Sequence, residues 1–178
     1  KTYAALNIEP QKFETNIHAI TIVHAAMVPE IVAAQQNQRN AKTEAGKKAA
    51  KEHFDAVAKK AFCAGEIGCS VGTTYTSLTG GFVVSGTGSI QLGALAAVLV
   101  KCGYEIWDLG MAMDYKTKNL GGIEIQRKKW IDIACEGATH VPYKRLGALD
   151  GYVVRCDAII NSVDVFQNEN GNREDEVG

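Results

Sequence analysis

Gly86-Thr87-Gly88-Ser89, an apolar run closing on Lys101-Cys102-Gly103, Tyr104-Glu105-Ile106-Trp107-Asp108, a polar loop, and Leu120-Gly121-Gly122-Ile123-Glu124-Ile125-Gln126-Arg127-Lys128-Lys129-Trp130 together form the stretch that decides the fold. It reads as loop, helix, strand, loop and helix. Ile90, Leu92, Leu95, Val98 and Leu99 recur at three- and four-residue spacings with alanines between them, the period of an amphipathic helix. Thr87 or Ser89 is placed to cap its N-terminus, and Gly103 to take the left-handed conformation that stops it. Tyr104 to Leu109, ended by Gly110, predicts a short buried strand. Asp108 falls at the end of that strand, where an α/β fold displays side chains into a crevice. A turn aspartate is the plain alternative.

Upstream of this stretch, Gly65 to Phe82 is rich in glycine and in β-prone residues, which predicts two antiparallel strands joined by a tight turn. The pair Gly80-Gly81 is expected to turn the chain sharply toward the central helix. Earlier still, Ile20-Thr21-Ile22-Val23 argues a strand near Ala19 to Val23, and Ala25 to Gln38 a helix with Pro29 in its first turn. The polar run Asn37 to Gly46 reads as a loop or frayed helix end. Lys47 to Phe62 regains a helical period through Ala50, Phe54, Val57, Ala58 and Ala61. Downstream, the second helix is expected to reach about Glu136. Gly151 to Val154 and Ala158 to Val165 look like strands, and residues 167–178 form a polar, acidic tail expected to be disordered.

A chain of 178 residues, 46% hydrophobic and 22% charged, is long enough to bury a core without metal or disulfide support. One domain, residues 1–166, is expected. The five cysteines are odd in number and form no CxxC pair, which makes them free thiols of a reducing compartment. The four histidines share no ligand spacing with them, so no metal site is expected; His18 and His24 read as hydrogen-bonded structural residues. A net charge of −1 supplies no global attraction to nucleic acid. Lys47, Lys48, Lys51, Lys59 and Lys60 suit a solvated helix face, and Arg127 to Lys129 form a second basic run. No apolar run of membrane-spanning length and no signal-peptide centre stands out, so a soluble, cytoplasmic protein away from membranes is expected.

The predicted order of helix, antiparallel strands, glycine-rich loop, helix, strand and helix is that of a GNAT-like α/β fold, a mixed, largely antiparallel sheet flanked by helices. Within it, Ser89 to Trp130 resembles the C-terminal domain of the leucyl/phenylalanyl-tRNA–protein transferase family. Three pieces carry the likeness: Gly103-Tyr104-Glu105-Ile106-Trp107-Asp108, Leu120 to Trp130 against a Leu-Gly-x-x-Glu-Ile-Pro-Arg-x-x-aromatic pattern, and the apolar helix ahead of both. Gly72 to Ser77 stands where the family has its central strand. The resemblance covers the middle third of the chain convincingly and extends more weakly back to about Phe13. Gly110 stands where the family has a relay glutamine, Leu78 or Thr79 near the family glutamate, and Gln126 at the family proline.

That resemblance implies transfer of leucine, phenylalanine or a related aminoacyl group from a tRNA 3′ end to the N-terminal amine of an acceptor protein, without a cofactor. It implies a catalytic role for Asp108, and Ser77, Asp114 or Tyr115 are the side chains available to replace the missing relay group, Ser77 being the one taken as the second catalytic residue. Tyr75, Thr79, Trp107, Glu124 and Arg127 become substrate-binding candidates. Amine attack on an ester needs a neutral amine, and a carboxylate such as Asp108 is suited to hold an ammonium group and take its proton. Two other readings stay open. Gly86, Gly88 and Ser89 before a helix offer backbone N–H groups to a pyrophosphate, as an acyl-CoA-dependent enzyme would need; the loss of polar family positions suits a non-catalytic binding protein.

Overall fold

The computed structural model describes residues 15–142, 144–149, 156 and 159. Alternation writes its first strand: in β1 (Thr15–Val23) Asn16, His18, Ile20 and Ile22 are partly buried while Thr15, Ile17, Ala19 and Thr21 are exposed. β1 pairs antiparallel with β2 (Phe62–Val71), and β2 pairs antiparallel with β3 (Thr74–Phe82). A turn at Gly72 and Thr73 joins the hairpin. Gly72 has φ 57°, and a Cβ there would run into the carbonyl of Gly137, so the turn requires glycine twice over.

Helices flank these strands: α1 (Val28–Asn40), α2 (Glu44–Ala61), α3 (Thr87–Cys102), α4 (Asp114–Leu120) and α5 (Arg127–Thr139). Single 3-10 turns occupy Ala25–Met27 and Leu146–Leu149. After α3 the chain enters β4 (Ile106–Asp108), which lies parallel to β3, giving the sheet order β1-β2-β3-β4. The chain is thus mixed α/β, with an open, mostly antiparallel four-strand sheet. No helix among the described residues is long and apolar enough to cross a membrane.

Two apolar clusters hold these layers together. Ile31 and Ala34 of α1 meet Val57 and Ala61 of α2, with Val23, Met27 and Phe54 beside them. The larger cluster sets Leu95, Leu99 and Cys102 of α3 against Tyr75, Tyr104 and Leu146, with Ile20, Val98 and Trp107 packed on it. Each fully buried leucine here contributes about 1.5–3 kcal/mol by leaving water. Helix α3 therefore lies on the sheet face that carries Ile20, Tyr75 and Trp107.

Most element positions agree with the expectations, and the differences have local causes. The loop expected over Asn37 to Gly46 shrinks to residues 41–43, because the Thr43 hydroxyl caps α2 by accepting the Gly46 N–H at 3.1 Å. The polar loop after Asp108 contains α4, whose Asp114 and Lys118 pair across one turn. Gly80 and Gly81 do not break β3: they pair with Glu66 and Gly65 in the ladder. Neither Thr87 nor Ser89 caps α3. Gly86, at φ 82°, is its N-cap residue, and the Thr87 hydroxyl faces the carbonyls of Val84 (2.6 Å) and Cys63 (3.0 Å). Gly103 does end the helix in the left-handed conformation, at φ 80°. The strand-like run Gly151 to Val154 and the tail 167–178 lie outside the described residues. Of Ala158 to Val165 only Ile159 is described, and it is helical and buried.

Candidate functional site

Side-chain parity in the sheet brings one polar group together. His18 of β1 lies opposite Gly68, Ser77 opposite Gly68, Tyr75 opposite Ser70 and Trp107 opposite Tyr75, which places them all on the face under α3 with Glu66. A bulge in β3 at Leu78 keeps Ser77 and Gly80 both on that face. Glu66 is 6% exposed. Its Oε1 accepts the hydroxyl of Tyr75 at 3.1 Å and that of Ser77 at 2.6 Å. Its Oε2 has one long contact, from Gln91 Nε2 of α3 at 3.5 Å.

The direction of these hydrogen bonds is fixed by chemistry. An indole nitrogen only donates, so Trp107 Nε1 gives its proton to Ser77 Oγ at 2.9 Å and the serine proton goes on to Glu66. Burial, together with the charge and hydrogen bond of Glu66, raises the Tyr75 hydroxyl well above its ordinary pKa of 10 and keeps it a donor. His18 stacks on the Tyr75 ring at 6.1 Å between centroids and bonds Ser70 Oγ through Nε2 at 2.8 Å. Burial lowers its pKa below 6.5. The Tyr75 hydroxyl reaches Glu66 by passing directly over Gly68, where a Cβ would collide with it.

Beside this group the parallel strands part. β3 and β4 pair only at Thr74–Ile106, Tyr75–Trp107 and Thr76–Asp108, after which β3 runs on through Phe82 and is exposed from Leu78 onward. Asp108 stands at the parting. Its Oδ1 accepts the Gly110 N–H at 2.8 Å, and Gly110 takes φ 70° to make that turn. The ladder puts Asp108 beside Thr76, which faces Cys69, on the sheet face away from α3. Burial and then the Asp108 charge raise the Cys69 thiol. Asp108 and Ser77, the catalytic pair expected from sequence, therefore lie on opposite faces.

The remaining candidates distribute as follows. Tyr75 is fully buried and offers no face to a nucleobase, whereas Trp107 is partly buried. Thr79 is exposed, paired with Ile67 on the face away from α3. Glu124 precedes α5, so Glu124 and Arg127 do not share a helix, and both are exposed. Gly86, Gly88 and Ser89 surround the start of α3, which no side chain caps. Lys116 ties the loop after β4 by donating to the carbonyls of Leu109 (2.5 Å) and Met111 (2.9 Å). Glu66 and Gln91 were missed from sequence. A second polar group, also missed, sits at the far end of the hairpin: Glu105 Oε2 accepts Thr73 Oγ1 and contacts His140 Nδ1, each at 2.8 Å. His140 and then Thr73 lower the Glu105 pKa below 4.5, and Glu105 raises that of His140 above 6.5.

Among the described residues no group of three or more His, Cys, Asp or Glu side chains is placed to hold a metal ion. No family model, curated protein or solved structure matches the chain. Fold and site define a mixed α/β chain whose open sheet carries a buried carboxylate beside a parting pair of parallel strands.

Proposed function

We propose that this chain is a GNAT-like aminoacyl-tRNA–protein transferase, moving an aminoacyl group from a tRNA 3′ end to the N-terminal amine of an acceptor protein. The resemblance of residues 89–130 suggests it. The supporting observation is the β3–α3–β4 unit, whose parallel strands part just beyond Thr76 and Asp108 and leave an oriented carboxylate at the mouth. In this reading the free oxygen of Asp108 holds the incoming ammonium group and takes its proton, since an α-amino group with a pKa of about 8 is mostly charged at neutral pH. The neutral nitrogen bonds to the ester carbonyl carbon. The ester C–O bond then breaks, and the 3′ oxygen leaves with a proton. Backbone N–H groups along the β3 edge beyond Thr76 are suited to the developing oxyanion.

In this reading Gly110 stands where the family has its relay glutamine, and its backbone has a use of its own. Its left-handed φ of 70° disfavours a side chain, and its N–H is what aims Asp108. A transfer assay with charged tRNAs and an acceptor peptide tests the reading. Asp108→Ala is expected to lower transfer about 10²–10⁴-fold, the usual contribution of a positioned proton acceptor. Equal transfer by both proteins removes Asp108 from this role.

The uncapped start of α3, preceded by Gly86 in the left-handed conformation, favours a second reading as a CoA-dependent acyltransferase. Turnover of acetyl-CoA with an amine acceptor and no dependence on tRNA would select it. Binding of charged tRNA without transfer or turnover would select a non-catalytic protein.

A further inference from the structure

A carboxylate buried to 6% exposure is costly unless its charge is compensated. No lysine, arginine or histidine among the described residues pairs with Glu66; Lys47–Glu44, Lys51–Asp55, Lys118–Asp114, Lys128–Asp132 and His140–Glu105 pair elsewhere. Its hydrogen bonds come from neutral donors and are uneven. Oε1 is filled by the Tyr75 and Ser77 hydroxyls, while Oε2 has only the 3.5 Å contact from Gln91. The arrangement is an acceptor with one oxygen fully used and the other weakly engaged. Ser77, Trp107 and His18 are the partly exposed members of the group, and Gly80, opposite Glu66 in the ladder, carries no side chain to cover it.

We propose that Glu66 Oε2 receives a primary ammonium group on the side chain of the transferred acyl group, which makes a lysine-like aminoacyl group the preferred donor. The proposal rests on acyl transfer at the parting of β3 and β4. Under that reading the acceptor amine is held by Asp108, on the opposite sheet face, so the cation at Glu66 belongs to the other substrate. Ammonium fits better than guanidinium. A guanidinium fork uses both oxygens of a carboxylate, and Oε1 already accepts two hydroxyl protons. Leucine or phenylalanine in the same place would leave Oε2 without a strong donor.

The test has two arms. In the first, wild-type protein transfers lysine, arginine, leucine or phenylalanine from the corresponding charged tRNA to one fixed acceptor peptide. Lysine is expected to exceed leucine by about 30-fold or more, the usual effect of a buried charge pair, and the preference is expected to fall below about 10-fold in Glu66→Gln. In the second, the Trp107 indole N–H resonance is followed during titration with lysine methyl ester, ε-acetyl-lysine methyl ester or leucine methyl ester, without tRNA. Saturable movement with the first ester alone is expected, and Glu66→Gln is expected to abolish it. Wild-type donor preference and the acetylated control need no variant, so misfolding of Glu66→Gln leaves the test intact. Preferred transfer of leucine or phenylalanine overturns the ammonium site and keeps the transferase reading. No transfer from any donor, with the Trp107 response present, overturns the transferase reading and keeps the site. Dependence on a basic side chain of the acceptor peptide, with donors transferred equally, overturns the assignment to the acyl group. Absence of the Trp107 response together with absence of lysine preference overturns the site.

Discussion

Gly68→Ala tests the architecture of the polar group more directly than removal of any of its polar atoms. A Cβ at residue 68 meets the hydroxyl and Cζ of Tyr75 and the carbonyl of Thr76 at distances no real Cβ adopts. Tyr75 has nowhere to go: it is fully buried, stacked on His18 and held within the cluster that contains Leu95 and Leu99. Over-packing of this kind costs about 1–3 kcal/mol. Lifting the ring also breaks the 3.1 Å bond to Glu66, and hydrogen bonds to charged groups contribute about 1.5–3 kcal/mol. The sum, about 2.5–6 kcal/mol, is a large part of the roughly 5–15 kcal/mol that holds a domain folded. Urea unfolding of the wild type, Gly68→Ala, Tyr75→Leu and the double variant measures it, because the smaller leucine removes the atoms the new methyl would strike. Gly81→Ala is the control. Nothing lies within 4 Å of its added Cβ, so it is expected to be neutral or slightly stabilising. A cost below about 0.5 kcal/mol for Gly68→Ala, or an equal cost with Tyr75 and with Leu at position 75, would refute the reasoning.

Two histidines should give stability pH dependences of opposite sign. The raised pKa of His140 makes its contribution full below 6.5 and lost as pH rises through the raised value; the lowered pKa of Glu105 makes its contribution full above 4.5 and lost as pH falls. The destabilisation by His140→Gln, followed as melting temperature, is therefore expected to be largest between pH 4.5 and 6.5 and to fade as the pH rises above 6.5 through the raised value. His18, with its pKa lowered, contributes above 6.5 and loses that contribution as pH falls through the lowered value, so the difference between His18→Gln and wild type should shrink on acidification. A pH-independent difference contradicts the pairing with Glu105 in the case of His140 and the effect of burial in the case of His18. Thr87→Val removes the hydroxyl that ties the start of α3 to Val84 and Cys63. About 1 kcal/mol should be lost, lowering the melting temperature by about 2–4 °C in differential scanning calorimetry.

The elements were legible in the sequence wherever periodicity and punctuation agreed. The stripe from Ile90 to Leu99 and the stop at Gly103 place α3, and the glycine- and threonine-rich hairpin lies where β-propensity puts it. Errors fell where one local feature was read without its tertiary partner. Gly80-Gly81 suggests a chain break, but both residues have ladder partners in β2 and stay extended. Thr87 looks like a cap, yet its hydroxyl finds carbonyls of the preceding loop and strand. Cross-strand register is what short-range reading lacks. His140 and Glu105, 35 residues apart, meet only because α5 ends beside the start of β4.

The polar group was missed for a related reason. Asp108 drew notice because it ends a strand, but strand ends are also where turn aspartates belong, and its Oδ1 is used in that way by Gly110. Glu66 carries the stronger signal in the middle of a strand. Ala64, Glu66, Gly68 and Ser70 alternate with Cys63, Gly65, Ile67 and Cys69, and Ile67 is exposed while Glu66 is buried. A charged residue at an inward position of a central strand is expensive, and glycine two residues on is what lets an aromatic hydroxyl reach it from the next strand. Read as a pair, Glu66 and Gly68 imply a tyrosine or similar donor crossing from the partner strand, and Tyr75 meets that requirement. The glycine thus points to the carboxylate, and the carboxylate, short of a cation among the described residues, points to what must enter from outside.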